Sequence, residues 1–439
     1  MNFRNLLLMM LGFTVFTVNC SSDSTELSPG VTEPIDESDP SAFVFQDSEI
    51  RQIELNLEAS DWDALNENPL LEEYVPGNVT YEGETYEQVG IRYKGAFASL
   101  ARCFTDGERN DLCTKLNLKL KFNEYVPGQR FYTMKRINLH AMDGDPSFMR
   151  ETLSYEAFRN HGVFAPRTSY VSLEVNGESL GLFLAVEQID GRFTRNRFED
   201  GGKGNLYKEV WPNEYTETPY LNALKTNEDE NPSTDKILRF AEEIRDGGQA
   251  GFKSTIEEWM DIEHWVTYFA VERLVGQWDG IFAWYCYSGG CWNHNFYFYE
   301  STTDDKLWIV PWDYDHSFEF DDIHKVAGVP AWVEPEPDCA RLFQLEGIES
   351  RAPSCDNLIK WTQSEYWNEY TEKTNELLQG ELNSNRFLER VEELTEFLDD
   401  AVRNDPEWDH ATWLGEGIVK LKEDRAKIIQ NVQSQIAMN

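Results

Sequence analysis

Alternating polar and apolar residues predict strands through most of the first half of the chain. The run Lys115–Phe122 alternates strictly, which is typical of a strand with one buried face and one lysine-rich face. Asn176-Gly177 separates two apolar runs and predicts a tight hairpin turn. Asp145-Pro146-Ser147 opens a predicted helix to about His161, because a first helical turn tolerates proline. The other elements predicted here are strands over Ile50–Leu57, Val79–Tyr93 (with a turn at Glu82-Gly83), Arg136–Leu139, Ser169–Val175 and Leu180–Glu187, and a short helix over Ala59–Asn66.

Apolar residues recur at helical spacing from about Ser233 to the end of the chain. Two short strands, Phe296–Glu300 and Leu307–Val310, interrupt the helices on either side of a turn. The pattern therefore predicts an α+β fold, in which a β-rich part with one long helix precedes a mainly helical part, joined near residues 187–209. The helices predicted in the second part are Asp235–Asp246, Gly251–Trp259, Asp261–Gln277, Glu365–Leu378, Asn383–Asn404 and Gly417–Met438.

The N-terminal residues predict export. Arg4 and the apolar run Leu6–Val18 are typical of a signal peptide over residues 1–19, and the run is short for a transmembrane helix. The run ends just before Cys20, as in bacterial lipoproteins, so Cys20 is the predicted lipidation site; ordinary secretion is the alternative. Residues 20–41 are polar, acidic and proline-containing, which predicts a disordered tether ahead of an ordered domain over residues 42–439.

Six further cysteines fall into three close pairs along the sequence. An even number of cysteines in an exported protein favours disulfides. A metal site is the alternative, but no Cys-x-x-Cys motif or Cys/His cluster supports zinc. The predicted disulfides are Cys103–Cys113, Cys286–Cys291 and Cys339–Cys355.

The composition is that of a globular protein with a large acidic excess. The chain has 439 residues, of which 41% are hydrophobic and 13% aromatic, enough for a substantial core. Its formal net charge of −40 excludes general nucleic-acid binding, because phosphates would be repelled. An acidic surface is usually only a solvated surface, so the charge alone indicates no substrate.

Candidate chemistry concentrates between Trp278 and Phe318. Asp279 follows a predicted helix, Asn295 precedes a predicted strand, and Asp313 and Asp315 come just after the next strand. Hard oxygen ligands of this kind hold Mg²⁺ in phosphate chemistry, and a separate carboxylate can orient or deprotonate a hydroxyl. The structural alternative is that Asp-Tyr-Asp caps a helix and that Trp312 is simply a core residue.

The same region resembles the spore coat protein H (CotH) family of atypical secreted or spore-surface kinases. The family's WDG-like turn, HN-aromatic strand and PWDYD-like turn match Trp278–Gly280, His294–Phe296 and Pro311–Asp315 in this order. Several ordered motifs together are more specific than any one, and the resemblance covers roughly residues 43–400. Further matching segments are Ile91–Leu100, Ile137–Phe158, Val171–Asp190 and Gly204–Lys208.

The resemblance implies a two-lobe, kinase-like fold, with an N-lobe over about residues 42–190 and a C-lobe over about 191–439. It implies that Asp279 is the catalytic aspartate, that Asn295 and Asp313 bind the metal, and that Asp315 is a second metal ligand. The cofactor would be Mg²⁺, with Mn²⁺ or Ca²⁺ as alternatives, and ATP would be the phosphoryl donor. The implied protein partner is a surface or secreted substrate. The predicted lipid anchor adds a membrane as a partner, and the chain is predicted to be a monomer.

The phosphate-holding lysine is the least defined part of the predicted site. By their spacing from the predicted helix, Lys119 and Lys121 are favoured over Lys115. An exposed basic strand face is the structural alternative for each of them. The other residues predicted to contact nucleotide or to support its binding are Arg92 and Lys94 in a loop, Glu151 (or Glu156) as the lysine's partner, Glu187 at the hinge, and Lys208.

Two departures from the kinase pattern keep a second function open. No G-x-G-x-x-G loop exists, so side chains or the turn after Tyr93 would have to hold nucleotide phosphates. An insertion, Ala283–Trp292, lengthens the spacing from Asp279 to Asn295. The alternative function is therefore a surface binding or adhesion module on a kinase-like scaffold, with a structural Ca²⁺ or Mg²⁺ site.

Overall fold

A computed structural model describes residues 39–95, 100, 103–105, 108–109, 115–228, 232–287, 289–320, 338–345, 348–380 and 382–438. The predicted signal peptide, Cys20 and nearly all of the predicted tether lie outside these residues, as does Cys113. Among the described helices, none combines the length and apolarity needed to cross a bilayer.

The strands are β1 (Arg51–Asn56), β2 (Val75–Tyr81), β3 (Glu84–Tyr93), β4 (Phe104–Thr105), β5 (Glu108–Arg109), β6 (Leu118–Lys121), β7 (Arg136–His140), β8 (Thr168–Val175), β9 (Glu178–Glu187), β10 (Asn205–Lys208), β11 (Trp284–Tyr287), β12 (Gly290–Trp292), β13 (Phe296–Glu300), β14 (Leu307–Pro311), β15 (Leu342–Leu345) and β16 (Ile348–Arg351).

Seven strands of the first part close into a barrel, in the order β1-β2-β3-β6-β7-β9-β8. The closing pair, β1 and β8, is parallel, whereas the other pairs are antiparallel. The predicted hairpin at Asn176-Gly177 is present, and both turn residues adopt positive φ, as a tight two-residue turn requires.

The two faces of strands β3, β6 and β7 differ sharply. Leu118 and Leu120 are buried in the barrel core with the apolar residues opposite them on β3 and β7. On the outer face, Arg92 of β3, Lys119 of β6 and Asn138 of β7 stand opposite one another. The strict alternation of the sequence therefore predicted the faces of this sheet correctly.

The predicted strand over Lys115–Phe122 is too long, because β6 covers only its last part. Lys115 precedes the strand and is buried, and its Nζ lies 2.6 Å from Asp405 Oδ2. It therefore does not share the outer face with Lys119, as its position in the alternation had predicted. The partner is 290 residues away in the chain, so no local pattern could indicate it.

The long helix of the first part begins later than predicted. Asp145 accepts hydrogen bonds from the backbone N–H of Ser147 (2.9 Å) and of Arg150 (2.8 Å). These bonds form a turn ahead of the helix, so the helix starts at Arg150 and not at Asp145. The helices are α1 (Ala59–Glu67), α2 (Arg150–Arg159), α3 (Gly191–Arg195), α4 (Glu217–Ala223), α5 (Asp235–Trp259), α6 (Ile262–Val275), α7 (Asn357–Gln379), α8 (Ser384–Arg403), α9 (His410–Thr412) and α10 (Val419–Met438).

Two helix predictions of the second part are corrected. The two helices predicted across residues 235–259 form one element, α5, with a kink at Gly248, whose φ is +56°. Helix α7 begins at Asn357, eight residues before its predicted start, because Asp356 caps it by accepting from Ile359 N–H. The α+β class, with a β-rich first part and a mainly helical second part, is confirmed.

Two small sheets lie in the second part. One has the order β10-β13-β14 and the other β12-β11-β16-β15. The predicted disulfides Cys286–Cys291 and Cys339–Cys355 are both present. The third predicted pair includes Cys113 and so cannot be described.

Candidate active site

The open end of the β13–β14 hairpin brings Asn295 and Asp313 together. The backbone N–H of Trp312 donates to the carbonyl of Asn295 (3.1 Å), which continues the pairing of Phe296 with Pro311. Asn295 and Asp313 both have positive φ (63° and 58°), which turns their side chains out of the two strands. Aspartate and asparagine tolerate this backbone region better than most residues, so the residue types suit the turn.

Asp279 joins this pair from the segment after α6. The Asn295 amide donates to the Asp279 carbonyl (2.8 Å) and to Asp279 Oδ2 (2.9 Å), so its Oδ1 is the atom that can coordinate a cation. Tyr285 donates to the other oxygen, Oδ1 (2.5 Å). Burial raises the pKa of Asp279, although His316 and Tyr285 oppose the shift. The predicted catalytic and metal-binding residues thus meet at one place.

The Asp313 backbone is fixed from two sides. Its N–H donates to the Tyr155 hydroxyl of α2 (2.9 Å), and its carbonyl accepts from the Gln277 amide (2.9 Å). Burial opposes ionisation of Asp313, but Lys94 and His140 lie close, and the net effect is a pKa below its ordinary value. Asp313 is therefore an ionised carboxylate with a fixed backbone.

A chain of three side chains connects the barrel to α2 beside Asp313. Lys94 Nζ donates to His140 Nε2 (2.6 Å), so His140 Nδ1 donates to Glu151 Oε2 (2.7 Å). Tyr155 donates to the second oxygen of Glu151 (2.9 Å). Glu151 was predicted as the direct partner of a lysine, but here the imidazole of His140 lies between Glu151 and Lys94.

A cluster of cations lies close to the carboxylates of the site. Burial lowers the pKa of Lys119 well below its ordinary value, and the charges of Lys94, Arg92, Arg136 and Lys208 add to the effect. Lys94 is half-buried, and its Nζ lies 5.4 Å from the centroid of the Trp312 ring. Like charges repel, so a bound anion would stabilise such a cluster of cations. In a protein of net charge −40, the cluster therefore indicates a site for an anionic ligand.

Lys208 reaches the site from β10. Burial disfavours its charge, but the neighbouring Tyr297, Glu209 and Asp313 raise its pKa above the ordinary value. Its ammonium therefore stays charged beside the candidate metal ligands. Lys208 was predicted from the resemblance of the segment Gly204–Lys208 to the CotH family. In the structure it lies in the same cluster as Lys94 and Lys119.

Two other residues predicted at the site have different surroundings. Lys121 pairs with Glu124, and its Nζ lies 5.5 Å from the centre of the Tyr74 ring. Arg92 lies at the edge of the cation cluster, with its Nη1 2.8 Å from Glu72. Neither contacts the carboxylates of the site within the described residues.

Glu187, predicted at the hinge, is buried among three arginines. Its carboxylate lies 2.7 Å from Arg167, 2.6 Å from Arg197 and 3.3 Å from Arg192. Burial opposes its ionisation, but Arg197 and Arg167 hold its pKa well below the ordinary range. These contacts give Glu187 a structural role at the end of β9.

Asp315 and His316 form a second charged group beside the first. Burial and the nearby Asp313 raise the pKa of Asp315 to about 7, although His316 opposes the shift. Burial lowers the pKa of His316, but Asp315 and Glu319 raise it, and the net value is about 10. Arg150 also binds Glu319 (2.5 Å), which gives this arginine a structural role.

The donor set fits a small divalent cation. Asn295 Oδ1 and the Asp313 carboxylate are hard oxygen ligands of the kind that Mg²⁺ takes. His140, Glu151 and Asp313 also offer ligand atoms within 4.8 Å of one another. However, both ring nitrogens of His140 are engaged, by Lys94 and Glu151, so a metal ion there would have to displace the lysine.

Sequence reasoning did not identify His140, Tyr155, Gln277 or Tyr285 as members of the site. His140 ends an alternating strand, and Tyr155 lies at an apolar position of a predicted helix, so both look like core residues in the sequence. The place of these residues in the site is visible only in the folded structure. There the Asp279 carboxylate meets the Asn295 amide, and the Asp313 backbone meets Tyr155 of α2.

Glu272 of α6 supports the base of the site and should make stability depend on pH. It is 1% exposed, and it accepts hydrogen bonds from Ile281 N–H (3.1 Å) and from the hydroxyl of Tyr314. Burial raises its pKa from 4.5 to about 7, so the folded state binds a proton more tightly than the unfolded state. Its contribution to stability is therefore full below about pH 4.5 and is lost as the pH rises through about 7.

We expect Glu272→Gln, which mimics the protonated form, to gain stability relative to the parent protein between pH 5 and pH 8. The gain should be about 2–3 kcal/mol. Urea unfolding of both proteins at the two pH values measures it. A difference in unfolding free energy that is the same at both pH values would contradict the prediction.

Comparison with known proteins gives three findings. The family model described as CotH kinase protein matches residues 91–432. The inner spore coat protein H of Bacillus subtilis (strain 168) is 25% identical over 203 residues, which are 44% of this chain and 52% of that protein. The chain thus matches about half the length of this curated relative.

Among solved structures, the Helicobacter pylori proinflammatory kinase CtkA matches with 11% identity and a TM-score of 0.32. The match covers 74% of this chain and 93% of that chain. A score this low does not support any inference about the fold.

Proposed function

Because this chain belongs to the CotH kinase family, we propose that it is an exported, Mg²⁺-dependent protein kinase that transfers the γ-phosphoryl group of ATP to Ser or Thr hydroxyls of surface or secreted proteins. The observation that supports this most is the meeting of Asp279, Asn295 and Asp313 beside a cluster of half-buried cations. Phosphoryl transfer needs this combination, since catalysis consists mainly of positioning and charge neutralisation.

In the proposed site, the cations and the carboxylates have different roles. Lys94, Lys119 and Lys208 bind the phosphate oxygens in place of a glycine-rich loop, and Arg92 contributes from the edge. Asp279 accepts the hydrogen bond of the acceptor hydroxyl and orients it toward the phosphoryl group. Asn295 and Asp313 would hold Mg²⁺, which when bound neutralises phosphate charge, and Asp315 is the candidate for a further ligand.

We propose the kinase-like division into an N-lobe over about residues 42–190 and a C-lobe over about 191–439, with the nucleotide between them. We also propose that the signal peptide directs export and that a lipidated Cys20, followed by its tether, anchors the protein to a membrane. Two disulfides and a relative named as a spore coat protein support a location outside the cytoplasm.

Asp279→Asn is the direct test of the proposed function. With γ-labelled ATP, Mg²⁺ and dephosphorylated casein, the parent protein should label casein or itself. The variant should lose about 100-fold or more of this rate, because Asn cannot accept the hydroxyl proton. ATP binding, measured by calorimetry, should persist in both proteins.

Asp246→Asn, an exposed carboxylate paired with Arg245, is the matched control and should label normally. Absence of transfer by the parent protein, with ATP and Mg²⁺ binding intact, would reject the kinase proposal and favour a surface binding module. Equal transfer by Asp279→Asn would reject the assignment of Asp279 alone.

A further inference from the structure

The insertion between Asp279 and Asn295 folds into a hairpin that is closed by a disulfide and paired with a neighbouring strand. Strands β11 and β12 pair with Cys286 opposite Cys291, and the disulfide joins these two residues. The other edge of β11 pairs with β16, where Tyr285 stands opposite Ser350. The insertion is therefore an ordered part of a four-stranded sheet and not a free loop.

The hairpin is also attached to the core of the second part. Trp284 is fully buried, with its ring centroid 6.1 Å from that of Trp211, and the Arg351 guanidinium lies over the Trp284 ring, 5.0 Å from the centroid. Residues in a strand alternate between its two faces, so fixing Trp284 in this position also sets the direction of Tyr285. Tyr285 then reaches back toward the start of the insertion.

The hydroxyl of Tyr285 forms a hydrogen bond with the candidate catalytic carboxylate, that of Asp279. It donates to Asp279 Oδ1 at 2.5 Å, while Asn295 donates to Oδ2 at 2.9 Å. Tyr285 is only 6% exposed, and its ring packs against His294, with centroids 5.2 Å apart. Among the described residues, each carboxylate oxygen thus has one donor: Tyr285, near the start of the insertion, and Asn295, just after its end.

Two donors on different oxygens constrain more than one donor can. A single hydrogen bond from Asn295 would leave the carboxylate free to rotate about its terminal bond, whose preference is broad. A second donor, on a rigid ring fixed by a sheet, fixes the plane of the carboxylate. A group that must meet a substrate hydroxyl within hydrogen-bond distance depends on such orientation.

We propose that Tyr285 is a positioning residue for Asp279, and that the disulfide-closed hairpin serves to hold its hydroxyl in place. The proposal rests on the proposed kinase function. The competing interpretation is that the hydroxyl only satisfies a buried carboxylate, in which case its loss would lower stability without affecting the chemical step selectively.

The test is Tyr285→Phe, which removes one oxygen atom and leaves the ring. With Mg²⁺, ATP and dephosphorylated casein, kcat should fall about tenfold to a hundredfold. The KM for ATP should not change, because the Tyr285 hydroxyl donates to the acceptor-side carboxylate of Asp279. The double variant Cys286→Ser/Cys291→Ser should lower kcat in the same direction, and Tyr215→Phe, an exposed tyrosine beside Arg245, should behave as the parent protein.

An unchanged kcat in Tyr285→Phe would overturn the proposal. So would a fall in kcat accompanied by an equal loss of ATP binding and of thermal stability. If the parent protein transfers no phosphate, the kinase proposal fails by itself, and hydrogen exchange of residues 277–283 then decides the positioning role. Faster exchange in Tyr285→Phe than in Tyr215→Phe would retain that role, and equal exchange would reject it.

Discussion

Asp313→Asn should reduce phosphoryl transfer about a thousandfold, because it removes the charge that the proposed metal site depends on. The residue adopts φ of 58°, a backbone region that asparagine also tolerates, so the turn after β14 should survive the substitution. The backbone contacts of Asp313 with Tyr155 and Gln277 do not involve its carboxylate and should persist as well. The loss should therefore be one of chemistry and not of folding.

The matched control is Asp305→Asn. Asp305 lies in the turn at the other end of the same hairpin, with a positive φ of 65°, and it pairs with Lys236 at the surface. Transfer from γ-labelled ATP and titration with Mg²⁺ should separate the two variants, with Asp305→Asn unchanged. Transfer by Asp313→Asn at the parent rate would show that the metal, if one is needed, is held elsewhere.

Asp405→Ala should lower the free energy of unfolding by about 3–5 kcal/mol, because it leaves a buried ammonium without its partner. Asp405 Oδ2 lies 2.6 Å from Lys115 Nζ and accepts from Leu182 N–H at 2.7 Å. The side chains of Lys115 and Asp405 are 4% and 0% exposed. Gly181 makes this approach possible, since a Cβ there would lie 2.1 Å from Asp405 Oδ2.

Guanidinium unfolding followed by circular dichroism measures this loss. The double variant Lys115→Met/Asp405→Leu should recover most of it, because replacing both members of a buried pair with apolar residues removes the unpaired charge. Asp399→Ala, at a half-exposed carboxylate paired with Arg403 and His410, should change stability much less. If the double variant were as unstable as Asp405→Ala, the buried charge would not be the cause.

The segment that follows α8, which includes Asp405, also supports the candidate site. After α8 the chain returns to the barrel, where Trp413 Nε1 donates to the carbonyl of Ser147 (3.0 Å), just ahead of α2. Gly417 packs against the same turn, with room for no Cβ beside the Pro146 carbonyl. The C-terminal segment thus fixes the start of the helix that carries Glu151 and Tyr155.

Local patterns in the sequence were sufficient for most of the secondary structure. Alternation predicted the barrel strands and their faces, Asn-Gly predicted the β8–β9 hairpin, and close cysteine spacing predicted two disulfides. Strand and helix starts were less accurate at Lys115, Asp145 and Glu365. At these points a side chain far along the chain, or a capping carboxylate, decides where the element begins.

The sequence by itself determined the order of Asp279, Asn295 and Asp313 and the outer, charged face of β6. Only the tertiary structure decided which lysine faces the carboxylates, since Lys94, Lys115, Lys119 and Lys121 differ in what packs over them. Alternation encodes which face is buried, but the partners of a charge come from distant segments: Asp405 for Lys115, and His140 with Asp313 for Lys94. For the same physical reason, the acidic and aromatic segment gained Tyr285 as a contact of Asp279 only once the insertion had folded into a sheet.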